Sequence, residues 1–172
     1  MNLPNKLTVL RVCLIPVFLV LYLLPFSAWS RFAALAVFAG ASFTDMLDGQ
    51  IARKYNLITN FGKLMDPLAD KMLVAAALVA MTQTGEVAAW VVVVIISREF
   101  LITGFRMLAL EQGKVIAASS WGKLKTVSQM TLILAILLGF IPTPVTDILS
   151  WVTAALTLGS AIDYVAKNKG IF

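Results

Sequence analysis

The sequence predicts an all-α integral membrane protein, a bundle of six transmembrane helices with both termini in the cytoplasm. Three observations carry that expectation. Of the 172 residues, 60% are hydrophobic and only 13% charged, whereas a soluble domain carries roughly 25% charged residues. Six apolar segments each approach the length of about 20 residues that crosses the hydrocarbon core of a bilayer. The basic residues collect at one set of segment ends.

The segments fall near 7–26, 31–50, 66–83, 87–108, 120–140 and 146–166. Turn residues separate them: Pro25 with Ser27, Asn56 to Asn60, Gly85 with Glu86, Gln112 to Lys114, and Pro142 with Pro144. The first segment has the apolarity of a secretion signal. Its core is too long for one and no small-residue cleavage site follows, so it reads as the first spanning helix. Six crossings put both termini on one side, and of the 14 lysines and arginines only Arg31 falls on the other. By the positive-inside rule the basic side is cytoplasmic. With no repeat, low-complexity tail or composition shift, residues 1–172 read as a single domain.

Composition also excludes several chemistries. The net charge of +5 does not form a dense basic run, so it marks lipid head groups and topology rather than nucleic acid. The chain has no histidine, which removes imidazole acid–base catalysis and imidazole metal ligands. The single Cys13, in an apolar run, reads as an inert buried thiol. Trp29, Trp90, Trp121 and Trp151 read as interfacial anchors or packing residues.

The chemistry concentrates between the second and third segments. From Asp45 the chain reads D-M-L-D-G-Q-I-A-R and, eight residues later, G-K-L-M-D-P-L-A-D-K. On helices, Asp45 and Asp48, three apart, share a face, as do Asp66 and Asp70, four apart. A charge at the centre of a spanning helix costs roughly 2.5 to 3.5 kcal/mol, so these carboxylates need a wet cavity or partners. Four such groups close together oppose one another's ionisation unless cations hold them. Oxygen-only ligands suit hard ions, Mg²⁺ or Mn²⁺, and four carboxylates suffice for two of them. A pair of such ions serves phosphoryl transfer. Gly49 and Ala52 leave the helix bare beside the acids, although small residues also help helices pack in lipid. Gly62 allows close backbone approach, and the guanidinium fork of Arg53 suits phosphate oxygens. Pro67 is expected to open the third helix.

These residues resemble the signature of the CDP-alcohol phosphatidyltransferases, D-x-x-D-G-x-x-A-R, eight residues, G-x-x-x-D-x-x-x-D. Asp45, Asp48, Gly49, Ala52, Arg53, Gly62, Asp66 and Asp70 fill every fixed position. The resemblance implies a six-helix membrane fold, a homodimer, and an active site at the cytoplasmic face where an alcohol displaces CMP from a CDP-linked lipid. It further implies that Asp45, Asp48 and Asp66 bind one divalent cation and Asp45, Asp66 and Asp70 the other, with Asp70 also the general base. Gly49, Arg53 and Gly62 would line the CDP site.

A second polar set follows. Arg98, Arg106, Lys123 and Lys125 form a cationic group that suits an acceptor bearing its own phosphate. The bland alternatives are pairing of Arg98 with an aspartate or with Glu99, and snorkelling of the two lysines to the head groups. These stretches, with the opening N-L-P-N-K-L-T-V-L-R, resemble the branch of the family that uses glycerol 3-phosphate as acceptor and CDP-diacylglycerol as donor. Asn5, Thr8 and Arg11 then approach the nucleotide from the first helix, unless Asn5 and Thr8 serve as caps and Arg11 snorkels. Rival acceptors are phosphatidylglycerol and inositol phosphate. A divalent-cation channel or transporter is the rival from another class, but it predicts acids spread through the membrane thickness or at its midplane.

Overall fold

The computed structural model describes residues 3–24, 27, 29–54, 60–111 and 119–168. Side chains at 3–5, 45–54, 60–64, 66–67 and 110–111 lie outside the description. Among the described residues the secondary structure is six α-helices and no strand: α1 (Leu3–Leu23), α2 (Ser30–Lys54), α3 (Asn60–Gln83), α4 (Ala89–Glu111), α5 (Ser120–Leu138) and α6 (Thr143–Lys167). They form two compact units, Met1–Thr84 with Leu137–Gly139, and Gly85–Ile136 with Phe140–Phe172.

In the first unit α1 packs on both α2 and α3, which also touch each other. Small residues make the close approach possible. Ala34, Phe38 and Ala41 of α2 and Ala69, Leu73 and Ala77 of α3 are buried at helical spacing, and Phe18 and Tyr22 of α1 fill the space they leave. The Phe18 ring stacks on Tyr22 at 5.7 Å and tilts against Phe38 at 5.8 Å. At the far end of α1 the Tyr22 hydroxyl lies 3.4 Å from that of Thr84. The Arg31 guanidinium sits 5.9 Å from the Tyr22 ring centroid, within cation–π range. Gly139, just past α5, has φ 77° and lies against the same arginine.

In the second unit α4 packs on α6, and α5 joins them through Lys125 to Glu99 and through Ser128 to Thr153 at 2.7 Å. The polarity of α6 is the reverse of a water-soluble helix. Thr146, Ser150, Thr153, Thr157 and Ser160 are buried, while Val145, Ile148, Trp151, Leu158 and Ile162 face outward. The buried hydroxyls are satisfied inside the helix: Ser150 and Thr157 donate to carbonyls four residues back, Thr146 and Ser160 to carbonyls three back. Such bonds let small polar residues sit at a helix contact without a desolvation cost.

Helix ends follow local chemistry. The Ser119 hydroxyl accepts the Gly122 N–H at 3.1 Å and caps α5. Gly85 and Gly139, with φ of 78° and 77°, end α3 and α5 in the left-handed conformation. Proline opens α6 after Pro142.

Three expectations change. α2 runs to Lys54 and α3 starts at Asn60, so both helices extend into the charged stretch between the apolar segments. Apolar patterning registers burial, whereas the helix persists on backbone hydrogen bonds. Pro67 consequently lies inside α3 rather than in its first turn, which deprives the Lys63 carbonyl of its helical donor. Length and apolarity sufficient to cross a membrane are met, among the described residues, by Lys6–Leu23 of α1 and by α6, with Ser30–Thr44 a shorter apolar stretch. The four tryptophans are exposed, and Trp90 and Trp151 pair at 4.6 Å. Cys13 is exposed rather than buried, because it lies on the outward apolar face of α1.

A methyl group at position 139 would meet Arg31 Nε at 3.1 Å, whereas one at Gly104 would meet nothing within 4 Å. Gly139→Ala should therefore cost about 1 to 3 kcal/mol, from left-handed strain and the displaced arginine, and lower the melting temperature in detergent. Gly104→Ala, in a helix interior with open space, should not lower it.

Candidate active site

The first unit carries the acidic half of the predicted site. Asp45 and Asp48 belong to α2, Asp66 and Asp70 to α3, and the backbone is continuous helix through each pair. The i, i+3 and i, i+4 spacings therefore place each pair on one helical face, on two helices that pack together. The side chains of Asp45, Asp48, Gly49, Arg53, Gly62 and Asp66, and that of Asn5, lie outside the described residues. Asp70 is half-buried, next to the buried Ala69.

α1 supplies a cation to this region. Thr8 and Arg11 are each only 1% exposed. Arg11 Nε donates to the Ala41 carbonyl at 3.4 Å, one turn before Asp45, and the Thr44 hydroxyl donates to the same carbonyl at 2.8 Å. Arg11 is thus an interior residue, not one that snorkels to the head groups. A permanent positive charge placed one turn from a carboxylate-bearing segment lowers the electrostatic cost of assembling acids there.

The second unit gathers the cations around one acid. Glu99 Oε1 accepts from Arg98 Nη1 at 3.2 Å and also from Lys125 Nζ. The three side chains are 12%, 18% and 1% exposed for Arg98, Glu99 and Lys125. Lys125 therefore does not reach the head groups either. The other Arg98 nitrogen lies beside Gly122, where an added Cβ would come within 3.6 Å of it, so Arg98 also faces the partial positive charge of the first turn of α5. Lys123 is exposed. Arg106 is half-buried, and its Nε is buried with no hydrogen-bond partner among the described residues. The four cations are consequently not equivalent. Arg98 and Lys125 share a carboxylate and Lys123 faces outward, while Arg106, like Arg98, keeps a buried Nε with no hydrogen-bond partner among the described residues.

The sequence names Glu99 as a neighbour for Arg98 but does not reveal its bond to Lys125, because a pairing across 26 residues depends on how α5 lies on α4. Tyr164 of α6 escapes sequence reading altogether. Its side chain is 3% exposed, and its hydroxyl is buried without a hydrogen-bond partner.

Helices, paired acids and cations on this spacing agree with a comparison of the whole chain to known families. The model of the CDP-alcohol phosphatidyltransferases matches residues 1–159. The chain belongs to the CDP-alcohol phosphatidyltransferase family. Among its relatives, the CDP-diacylglycerol--glycerol-3-phosphate 3-phosphatidyltransferase of Bacillus subtilis is 44% identical, over 97% of this chain and 95% of that protein. Proteins of the same name are 38% identical in Rickettsia typhi, over 99% of both chains, and 45% identical in Pseudomonas fluorescens, over 80% of this chain and 72% of that one.

In this family member the Glu99 arrangement has a measurable signature. Glu99→Gln takes the Glu99 carboxylate away from the buried Lys125 ammonium and should destabilise the protein by about 3 kcal/mol or more. Adding Lys125→Met should recover most of that loss, because a methionine fills similar volume without charge. Thermal denaturation of the purified single and double variants in detergent measures both effects.

Proposed function

We propose that the protein transfers the phosphatidyl group of CDP-diacylglycerol to sn-glycerol 3-phosphate, giving phosphatidylglycerophosphate and CMP. The observation that carries this is the eight-position pattern from Asp45 to Asp70, set on two packed helices in a chain whose near-full-length relatives bear the name of that enzyme. An acceptor with its own phosphate also suits the buried, unpartnered Nε of Arg106.

In the proposed reaction Asp70 accepts the proton of the acceptor's primary hydroxyl. The oxygen attacks the phosphorus that carries diacylglycerol, the bond from that phosphorus to CMP breaks, and CMP leaves. Arg53, with Gly49 and Gly62, holds the cytidine diphosphate, and Asn5 and Thr8 approach it from α1. Arg98, Arg106, Lys123 and Lys125 form the positive surroundings of the acceptor phosphate, with Glu99 limiting the excess charge. The donor set of Asp45, Asp48, Asp66 and Asp70, all oxygen and on adjacent helices, fits two divalent cations, Mg²⁺ or Mn²⁺. Bound there, such ions supply charge compensation for the diphosphate.

The proposal includes a multi-pass location in the cytoplasmic membrane, six spans, cytoplasmic termini and an active site facing the cytoplasm. The one-sided distribution of lysine and arginine supports it. So does the inverted polarity of α6, which in water would expose apolar side chains and bury polar ones. A homodimer is part of the same reading.

Purified protein in detergent with CDP-diacylglycerol and Mg²⁺ or Mn²⁺ should release CMP when glycerol 3-phosphate is added. It should not do so with serine or inositol, and chelation should abolish release until either metal is restored. Release only with phosphatidylglycerol or inositol 1-phosphate would move the enzyme to another acceptor. Silence with every acceptor would return the channel reading. Asp70→Asn should lower kcat by about 100-fold or more, the usual contribution of a general base, and near-normal turnover would remove Asp70 from that role.

A further inference from the structure

We infer that the hydroxyl of Tyr164 is a second ligand for the phosphate of the acceptor, acting with Arg106; this rests on the acceptor reading above. Tyr164 is 3% exposed, with its hydroxyl buried and lacking a hydrogen-bond partner among the described residues. A buried tyrosine hydroxyl normally finds a partner, since leaving one unmet costs more than the bond is worth when made. Arg106 Nε, on the facing helix, has the same deficit. Two unmet donors on packed helices point to an absent acceptor group.

The helix geometry puts the two donors together. Tyr164 continues the buried stripe of α6 formed by Thr153, Thr157 and Ser160. Arg106 continues the buried stripe of α4 formed by Ile95, Ile102 and Ala109. α6 follows α5 after only the four residues 139–142, so these neighbours are antiparallel, and α4 and α6, flanking α5, run the same way. Trp90 meets Trp151 across α4 and α6, and Tyr164 lies 13 residues beyond Trp151. The same step from Trp90 ends at Thr103. Register through α5, from Glu99 to Lys125 and from Ser128 to Thr153, ends near Met107 instead. Arg106 falls between those limits, within about one turn, or roughly 5 Å, of the level of Tyr164.

The chemistry of the pair suits an anionic oxygen, such as that of the acceptor's phosphate. Arg106 is a permanent cation with planar donors, and Tyr164 adds a neutral donor that favours an anionic oxygen. Of the neighbouring Asp163, Oδ1 pairs with Lys167 at 2.7 Å, while Oδ2 is buried with no hydrogen-bond partner among the described residues.

Tyr164→Phe removes only the oxygen. It should raise KM for glycerol 3-phosphate about tenfold, the effect of one hydrogen bond to a charged group, while KM for CDP-diacylglycerol stays within about twofold. A purely structural role moves neither constant, so an unchanged KM for glycerol 3-phosphate in a folded variant overturns the inference and leaves phosphatidyl transfer standing. If the wild-type protein does not use glycerol 3-phosphate, it is the acceptor reading that has failed. The inference is then judged with inorganic phosphate as the probe. A rise in melting temperature with phosphate that is lost in Tyr164→Phe supports it; an equal rise in both proteins, or none in the wild type, overturns it.

Discussion

The carboxylate of Glu99 is the contact on which the second unit depends. It lies between Arg98 on its own helix and Lys125 on α5, and it gives both cations a shared counter-charge within the helix pair. That single acid does two things at once. It makes the buried lysine tolerable, and it fixes the level at which α5 lies on α4. The hydroxyl contact from Ser128 to Thr153 carries the same register to α6. Once those levels are set, the inward stripes of α4 and α6 bring Arg106 and Tyr164 to similar depth.

The two units solve one problem in different ways. Each buries polar groups among helices whose outer surfaces are apolar, and in lipid there is no hydrophobic drive to hold helices together. The first unit relies on close approach, with alanines of α2 and α3 letting Phe18 and Tyr22 pack tightly, and it places Arg11 on a backbone carbonyl one turn from Asp45. The second relies on an ion triad and on hydroxyls that bond back along their own helix. In both, polar side chains point inward and stiffen the interior that presents them to a ligand.

What the sequence reveals follows from what is local. The six helices are legible because each apolar run is long, and the aspartate pattern is legible because its spacing lies within two helices. Helix ends are less so: Pro67 looks like a start signal, but α3 begins seven residues earlier, since a charged turn carries no burial pattern. The partners of Arg11 and Lys125 are out of reach for another reason. A basic residue near a segment end has the same sequence appearance whether it reaches the head groups or turns inward, and only the packing of a neighbouring helix decides. Tyr164 is the extreme case, one aromatic residue in an apolar helix whose unmet hydroxyl exists only in three dimensions.

The most direct test of phosphatidyl transfer to glycerol 3-phosphate is mass analysis of the lipid formed. The protein would be given CDP-diacylglycerol with an equimolar mixture of phosphatidylglycerol, inositol 1-phosphate and glycerol 3-phosphate labelled with ¹⁸O in its primary hydroxyl. Phosphatidylglycerophosphate retaining the heavy oxygen is the expected product, because the acceptor oxygen itself forms the new bond to phosphorus. Cardiolipin, an inositol-phosphate lipid, or phosphatidylglycerophosphate without the label would contradict the account.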